Sequence, residues 1–398
     1  MKSYRSLLHK PLSIIVIFCS FSCSCNIIGS ENTPQPQWSI PLSTGGLING
    51  SVQSVYSNNI IIALGNKNGQ AILYGIDVPS RKIKYEWSDL FSSREIVFSY
   101  NTYLFQKTWL LHNSPNLYAI DIETGKTLWK TTYPMRRDRG ITGFSERYYM
   151  SNYNTAFEGN VSTGVERELF STEKNSVVGL PATYVSGQDT SLIFAVSYAI
   201  EDSLRNYYYR THLLLFNLSK KQTVYNIMQR EGYANAQTGF PTPDGLPIIN
   251  QNQVFVAIGK SVQSNDLMTG KLLWRKTDFQ GDFSESGVTV IGDKVFCTDT
   301  EGDLFCLNAL NGAVVWKTTT TLGGLASSLL HLNGVLYFAS DGYLYAIDAS
   351  TGARIWRITS PDNESSNGQS FFKGNVTTDG KNIFVSTYLN LYCYKAAR

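Results

Sequence analysis

The residues with the most evident chemistry in this sequence are cysteines near its start, of which Cys23 and Cys25 are the most informative. They follow basic residues and the apolar run 12–18, an order that is typical of an export signal, here residues 1–24. The run is too short to cross a bilayer as a helix. Small residues stand before Cys25, which favours cleavage there and lipid transfer to its thiol. Cys23 is the alternative lipidation site.

A second pair of cysteines, Cys297 and Cys306, flanks Glu301-Gly302. If those two residues form a two-residue turn, the cysteines stand directly opposite each other on one face of a hairpin, where a cross-strand disulfide fits. An exported compartment would allow its oxidation. The alternative is that both are small core residues, because Cys393 occupies the Cys306 position of another repeat.

No residue pattern indicates catalysis. The histidines beyond the signal, His112, His212 and His331, are far apart and lack metal-ligand spacing. The sequence contains neither a P-loop nor a Gly-x-Ser-x-Gly motif. We therefore expect no catalytic residues, no cofactor and no metal site.

Composition and charge narrow the class of protein. Hydrophobic residues make up 42% of the 398 residues, aromatic residues 13% and charged residues 16%, a balance that suits packed β-sheets. The signal carries three of the 34 Lys and Arg and none of the 31 Asp and Glu, so the remaining chain is balanced in charge. That balance argues against nucleic-acid binding, which needs a surplus of positive charge.

The elements that would position any site come from a repeat. Four segments align without gaps: 117-LYAIDIETGKTLWK, 262-VQSNDLMTGKLLWR, 304-LFCLNALNGAVVWK and 344-LYAIDASTGARIWR. Each has Asp or Asn, then Gly four residues later, then Trp four residues beyond the Gly. These residues are Asp121, Gly125 and Trp129; Asp266, Gly270 and Trp274; Asn308, Gly312 and Trp316; and Asp348, Gly352 and Trp356.

Each motif position has a structural reading. The Asp or Asn side chain caps backbone N–H groups in a turn, and Gly permits the left-handed backbone there. The Trp, on the following strand, is placed to pack against a neighbouring repeat. The dominant motif is therefore structural, a blade-docking device rather than a reactive site.

Weaker copies complete the series and set the number of repeats. The positions equivalent to the motif Asp are Asp77, Asp121, Asn160, Asn217, Asp266, Asn308, Asp348 and Lys395, at intervals of 39 to 57 residues. That spacing is the size of a four-stranded blade. The sequence predicts an all-β, eight-bladed β-propeller of four-stranded antiparallel blades over residues 37–398, preceded by a polar tether at 25–36.

The last repeat stops before its Trp-bearing outer strand. The missing piece resembles Gln37-Trp38-Ser39-Ile40 at the other end of the chain. We expect Trp38 to supply the outer strand of the last blade and so close the ring, which removes an open sheet edge.

The longest interval between repeats, the 57 residues from Asn160 to Asn217, contains a candidate interaction surface. Residues 191–217 predict two long strands with a charged tip around 201–205, and Tyr207, Tyr208 and Tyr209 lie on them. Such a hairpin would project beyond the ring, and Tyr is favoured in interfaces. The alternative is an extension whose aromatic residues pack on their own blade.

These repeats resemble the PQQ-like repeat superfamily of β-propellers with a docking Trp between blades. With the export signal, the chain is similar to the BamB-type lipoproteins of the outer-membrane β-barrel assembly machinery. The resemblance covers residues 37–397 and implies a monomeric, non-catalytic propeller that binds protein partners, held by a lipid on the outer membrane and facing the periplasm.

Two other functions stay open on the same resemblance. A ligand-binding or sensory propeller, for instance for glycans, would use aromatic loops. A PQQ-dependent dehydrogenase is implied to need a larger propeller, an adjacent Cys-Cys disulfide and calcium ligands, and this sequence has no adjacent cysteines.

Overall fold

A computed structural model describes most of the chain beyond the predicted signal. The described residues are 33–44, 50–52, 54–89, 97–99, 102–113, 115–133, 140–201, 207–233, 243–320, 327–340, 342–362 and 371–398. The predicted signal and both candidate lipidation residues, Cys25 and Cys23, lie outside these ranges, so they stay predictions.

Eight antiparallel sheets follow one another along the described chain and form blades I to VIII, which confirms the predicted eight-bladed propeller. Blade I contains β3 (Tyr56–Ser57), β4 (Ile60–Lys67), β5 (Gln70–Asp77) and β6 (Lys82–Trp87). Blade II contains β8 (Thr102–Phe105), β9 (Thr108–Asn113), β10 (Asn116–Asp121) and β11 (Thr127–Thr132). Blade III contains β12 (Thr142–Phe144), β13 (Arg147–Asn152), β14 (Thr155–Asn160) and β15 (Glu166–Ser171). Blade IV contains β16 (Ser176–Val178), β17 (Ala182–Ser186), β18 (Asp189–Glu201), β19 (Tyr207–Asn217) and β20 (Gln222–Tyr233).

The second half of the ring is more regular. Blade V contains β21 (Pro243–Asn250), β22 (Gln253–Ile258), β23 (Val262–Asp266) and β24 (Leu272–Lys276). Blade VI contains β25 (Phe283–Ile291), β26 (Lys294–Asp299), β27 (Asp303–Asn308) and β28 (Val314–Thr319). Blade VII contains β29 (Leu330–Leu332), β30 (Val335–Ser340), β31 (Tyr343–Asp348) and β32 (Arg354–Thr359). Blade VIII contains β33 (Lys373–Thr378), β34 (Asn382–Ser386), β35 (Asn390–Lys395) and β1 (Trp38–Pro41), and a short parallel pair joins β2 (Gly50–Val52) to β7 (Val97–Ser99).

The ring closes as the sequence predicts. Strand β1 pairs antiparallel with β35, with Trp38 opposite Cys393 and Pro41 opposite Asn390. The N–H of Gln37 adds a hydrogen bond of 2.8 Å to the carbonyl of Cys393. The outer strand of blade VIII therefore comes from the start of the propeller, and the two ends of the domain share one sheet.

The propeller has two faces with different loops. We define the lower face by two sets of turns, those between first and second strands and those between third and fourth strands. In blade VII these turns are 333–334 and 349–353. They lie side by side, because the N–H of Ala349 donates to the carbonyl of Gly334. We define the upper face by the turns between second and third strands and the connections between blades. The motif Asp and Gly residues thus lie on the lower face, and the chain also enters β1 from that face.

A one-residue bulge recurs between the third and fourth strands at the same motif position in blades I, II, IV, V, VI and VII. In blade II, Ala119 pairs with Trp129 and Ile120 with Thr127, so Leu128 is the extra residue. The bulged residue points outward in most of these blades. Exposed apolar residues of this kind are Leu128, Val224, Leu273, Val315 and Ile355.

The core lies between blades rather than at a single centre. Each hydrophobic cluster of buried residues combines strands of adjacent blades, as where Phe255 and Trp274 of blade V meet Val295 and Leu307 of blade VI. Within the described ranges, the structure has no helix with the length and apolar character to span a bilayer.

Candidate functional site

The motif aromatic residues meet the motif turns of the next blade. Trp274 of blade V donates from Nε1 to the carbonyl of Ala309 in blade VI at 2.8 Å, and Trp316 donates in the same way to Ala349 in blade VII at 3.3 Å. Trp129 donates to Val161 of blade III at 2.9 Å. The rings lie over the motif glycines of the next blade.

Tyrosine occupies the same place at two junctions. Tyr85 donates to the carbonyl of Ile122 at 2.6 Å, and Tyr225 donates to the carbonyl of Leu267 at 3.0 Å. A Cβ at Gly312 would lie 2.5 Å from the Trp274 ring, and one at Gly270 would lie 2.7 Å from the Tyr225 ring. The glycines are therefore needed for the approach of the neighbouring aromatic ring as well as for the turn, a second role that sequence reasoning missed.

One side-chain oxygen of each motif Asp or Asn caps its own turn, while the second oxygens of Asp266 and Asp348 accept from Asn252 and Arg398. Asp121 Oδ1 accepts from the N–H groups of Glu123 and Thr124, and Asn308 Oδ1 accepts from those of Leu310 and Asn311. Asp348 accepts from the Ser350 hydroxyl and from Thr351, and these hydrogen bonds hold its pKa well below the usual range. These side chains are used for turn geometry.

Trp356 and Trp38 depart from the docking pattern of the other aromatic residues. Trp356 packs in the last interblade cluster with Ala396 and Ala397, where the chain has no motif turn. Trp38 lies near Phe384 of its own blade, with ring centroids 5.8 Å apart, and contacts the cluster shared with blade I.

The predicted cross-strand disulfide is wrong. Cys297 pairs with Phe305, and Cys306 pairs with Phe296, because the turn runs through 299–303 instead of two residues. The two cysteines therefore point to opposite faces of the sheet, and both are free and buried.

The alternative interpretation, that the cysteines are small core residues, is explained by the residues that lie opposite them. Cys306 lies directly opposite Trp316, and Cys393 lies opposite Trp38. Ala119 and Ala346 occupy the same position opposite their own Trp residues. A small side chain opposite the Trp leaves room for its indole in the closely packed core.

The most distinctive surface is the upper part of blade IV. Strands β18, β19 and β20 have 13, 11 and 12 residues, and they extend beyond the ring on the upper face. We call residues 197–201, 207–212 and 228–233 the blade IV extension. The predicted hairpin is thus present; its tip and the Tyr207 side chain lie outside the described part.

One side of the extension carries a continuous strip of aromatic and charged side chains. Ile200 pairs with Tyr208, and Tyr208 with Tyr233, so the three residues form one row across the sheet. The next row is Tyr198, Arg210 and Glu231. We call these six residues the extension strip.

Contacts within the extension strip order its side chains. The Tyr208 and Tyr233 rings meet edge to face at 5.1 Å, and Arg210 lies 5.9 Å over the Tyr208 ring. Arg210 also pairs with Glu231 at 3.3 Å. Ile200 and Tyr233 keep 42% and 46% of their surface exposed. A partly ordered, exposed mixture of Tyr, Arg and aliphatic groups is the composition that protein interfaces favour.

The opposite side of the extension is fixed to blade V by polar groups. Arg230 donates to the carbonyl of Ile258 at 2.7 Å and to the Ser261 hydroxyl at 3.0 Å. Arg275 of blade V donates to the carbonyl of Gln229, and its Nε donates to Gln263 Oε1 at 2.9 Å. Burial lowers the pKa of both guanidiniums, and the charge of Arg230 lowers that of Arg275 further.

Gln229 connects this anchorage to the middle of blade V. It is the extra residue of a second bulge in β20, which turns its side chain towards β23. Its Oε1 accepts from Gln263 at 3.1 Å and from Asn265 at 2.5 Å, and its Nε2 donates to the carbonyl of Gly270 at 3.0 Å. Gln263 and Asn265 are fully buried. We call Gln229, Gln263, Asn265 and Arg275 the IV–V network.

The IV–V network is visible in the sequence as a break in the repeat. The third strand of blade V reads Val-Gln-Ser-Asn-Asp, where blades II and VII read Leu-Tyr-Ala-Ile-Asp. Polar residues at fully buried positions require partners, so this break in the repeat marks a buried polar contact with a neighbouring element.

In the described part of the chain, we find no cluster of side chains arranged as a catalytic or metal site. The histidines lie in different blades, and burial lowers the pKa of His212, which bonds Asn226 at 2.9 Å. The described residues hold no group of three or more His, Cys, Asp or Glu arranged as metal ligands.

Comparisons with known proteins agree with the repeat. Residues 258–397 match the family described as "Outer membrane protein assembly factor BamB". The protein of that name from Yersinia pestis is 30% identical over 122 residues, 28% of this chain and 31% of the relative. The polyvinylalcohol dehydrogenase of Sphingopyxis sp. (strain 113P3) is 30% identical over 106 residues, 24% of this chain and 16% of the relative. The matched part thus spans a third or less of these relatives.

The fold is shared over a longer range. The crystal structure of BamB from Moraxella catarrhalis superposes with a TM-score of 0.62 at 15% identity, covering 92% of this chain and 100% of that chain. At this identity the likeness shows the fold alone. Residues 258–397 are thus similar to the BamB family, and the propeller as a whole shares its fold with BamB.

Proposed function

We propose that this BamB-like propeller is a non-catalytic, exported scaffold that binds protein partners in the cell envelope through the extension strip. Outer-membrane β-barrel protein assembly is the specific process we propose. The names of the Yersinia pestis relative and of the matching family support this choice. The predicted signal and lipidation at Cys25 support an outer-membrane anchor with the propeller in the periplasm.

The observation that carries the proposal is the blade IV extension. The ring needs strands of about six residues, as blade VI shows with Lys294–Asp299 and Asp303–Asn308. The added length of β18 to β20 buries one side against blade V and leaves the extension strip open. Exposed Tyr and Ile side chains on a rigid support lose little conformational entropy on binding, which favours a docking role.

Affinity purification of the tagged full chain from detergent-solubilised envelopes tests this function. We expect the subunits of the barrel-assembly complex to co-purify with it. Repeated absence of these subunits, together with normal outer-membrane protein levels in a deletion strain, would contradict the proposal.

A dehydrogenase is the second candidate, because the Sphingopyxis relative is named polyvinylalcohol dehydrogenase, and the PQQ-like repeats make PQQ its candidate cofactor. Reduction of an electron-acceptor dye in the presence of added PQQ and Ca²⁺ would support it. Both experiments use the same protein preparation. Absence of dye reduction in a preparation that co-purifies the barrel-assembly subunits then counts against the dehydrogenase and not against the folding of the sample.

A further inference from the structure

Exposed apolar side chains stand on the lower-face turns of blades III to VI. The most exposed is Leu310, with 73% of its surface accessible, and Val165 follows with 70%. The motif does not require them, because Glu123 and Ser350 occupy the Leu310 position in other blades. Within the described ranges, the exposed large apolar residues at these turns and the strand ends beside them are Phe144, Val165, Val185, Met268 and Leu310. They share one face over four successive blades, which makes this face a candidate contact surface.

The other half of the lower face is basic. Its turns and adjoining strand ends present exposed cationic side chains, namely Arg81, Lys82, Lys84, Lys126, Lys381 and Lys395. The carboxylates of the same turns are engaged in local hydrogen bonds: Asp121 holds the N–H groups of its own turn, and Asp379 holds those of Lys381 and Asn382. These carboxylates keep their charge, but the six exposed cations outnumber the half-buried turn carboxylates Asp77, Asp121, Glu123 and Asp379, so this half offers a surplus of cations to an anionic surface.

The chain reaches the propeller from this same face. Gln37 and Trp38 begin the outer strand of blade VIII at its lower end, beside the basic half. Twelve residues, 26–37, separate Cys25 from Trp38. Fully extended, such a segment spans at most about 40 Å, which keeps the lower face within reach of a bilayer in which Cys25 is anchored.

We propose that the lower face lies against an anionic lipid surface. The apolar turns of blades III to VI insert among the headgroups, and the basic half lies over anionic phosphates. This arrangement turns the upper face, with the extension strip, away from the membrane and towards soluble partners. It rests on the exported, lipid-anchored state proposed above.

Lipid-borne quenching tests this orientation. The full lipidated chain is reconstituted in vesicles of phosphatidylethanolamine and phosphatidylglycerol, with an environment-sensitive fluorophore on Leu310→Cys or on the matched control Tyr153→Cys. Tyr153 is 62% exposed and lies on an upper-face turn. The native cysteines beyond residue 25 are buried. We expect nitroxide lipids to quench the Leu310 label at least threefold more strongly than the Tyr153 label.

Equal quenching of the two labels, or stronger quenching at Tyr153, would overturn the proposal. Protection of the Leu310 label only when envelope proteins are added would also overturn it, in favour of a protein interface. Radiolabelled lipid on Cys25 is measured in the same preparation. Failure of the orientation is thus distinguishable from failure of the anchor, and neither depends on whether the extension strip captures a partner.

Discussion

The junctions on the two sides of blade V share a geometry and differ in chemistry. Between blades V and VI, Trp274 lies on Gly312 and the surrounding residues are apolar. Between blades IV and V, Tyr225 lies on Gly270, and the IV–V network adds buried amides and a guanidinium. Apolar packing tolerates sliding, whereas directional hydrogen bonds fix one arrangement. The polar junction is the one that supports the blade IV extension, the surface proposed to bind partners.

The apolar junction should show the largest effect on stability. Trp274→Ala removes the interblade ring and leaves a cavity, so we expect the free energy of unfolding to fall by about 3–5 kcal/mol. Tyr225→Ala should cost less, because the IV–V network still joins the two blades. Urea unfolding measures both. Leu273→Ala, at the exposed bulge beside Trp274, is the control and should stay within about 0.5 kcal/mol of the wild type. Equal losses for Trp274→Ala and Tyr225→Ala would remove the distinction between the junctions.

The glycine beneath the indole can be tested separately from its turn. Gly312→Ala places a Cβ against the Trp274 ring in a left-handed backbone with φ of 71°, so we expect a loss of about 2–3 kcal/mol. Gly292→Ala is the matched control, with φ of 60° and open space around the added Cβ. It should lose about 1 kcal/mol from backbone strain alone. The same loss at both positions would show that the approach of the ring adds nothing.

Breaking the IV–V network should lower the hydrogen-exchange protection of the blade IV extension more than that of the rest of the ring. Gln263→Leu removes one donor to Gln229, the donor to Asn265 Oδ1 and one acceptor of the Arg275 guanidinium, which should cost about 1–3 kcal/mol. Hydrogen exchange should rise first at 207–212 and 228–233, while β26 and β27 in blade VI stay protected. Gln222→Leu, exposed on the same β20, is the control and should change neither quantity. Uniform loss of protection around the ring would contradict a local role.

The smallest effect concerns the thiols, which should not react in the folded protein. Burial raises the pKa of Cys306 to about 11 and that of Cys393 to about 12, so neither is a thiolate near neutral pH. Iodoacetamide at pH 8 should label them only after unfolding, and non-reducing electrophoresis should show no internal disulfide. Rapid labelling of the native chain would mean that the positions opposite Trp316 and Trp38 are open.

The sequence predicts the ring well because the repeat encodes it locally. Asp, Gly and Trp at fixed spacing specify the turn, the bulge and the docking ring, and Trp38 supplies the one piece missing at the end. The hairpin register at Cys297 could not be read in the same way. Asp299 accepts from the N–H of Asp303, which lengthens the turn and shifts the pairing by one residue.

The blade IV extension was only partly predictable, because the side of it that is exposed is set by contacts between blades. The length and tyrosines of the blade IV extension are visible in the sequence, and the hairpin was expected from them. Which side of it is exposed depends on contacts between blades, through Arg230 with Ser261 and Arg275 with Gln229. Such contacts join residues far apart in sequence, and no repeat position specifies them.

The most direct test of the scaffold function is site-specific crosslinking in the intact envelope. A photoreactive phenylalanine replaces Tyr233 on the extension strip or, as the control, the exposed Leu128 of blade II. We predict a crosslink from position 233 to a subunit of the barrel-assembly complex and none from position 128. Crosslinking of that complex at 128 but not at 233, or at neither position, would contradict binding through the extension strip.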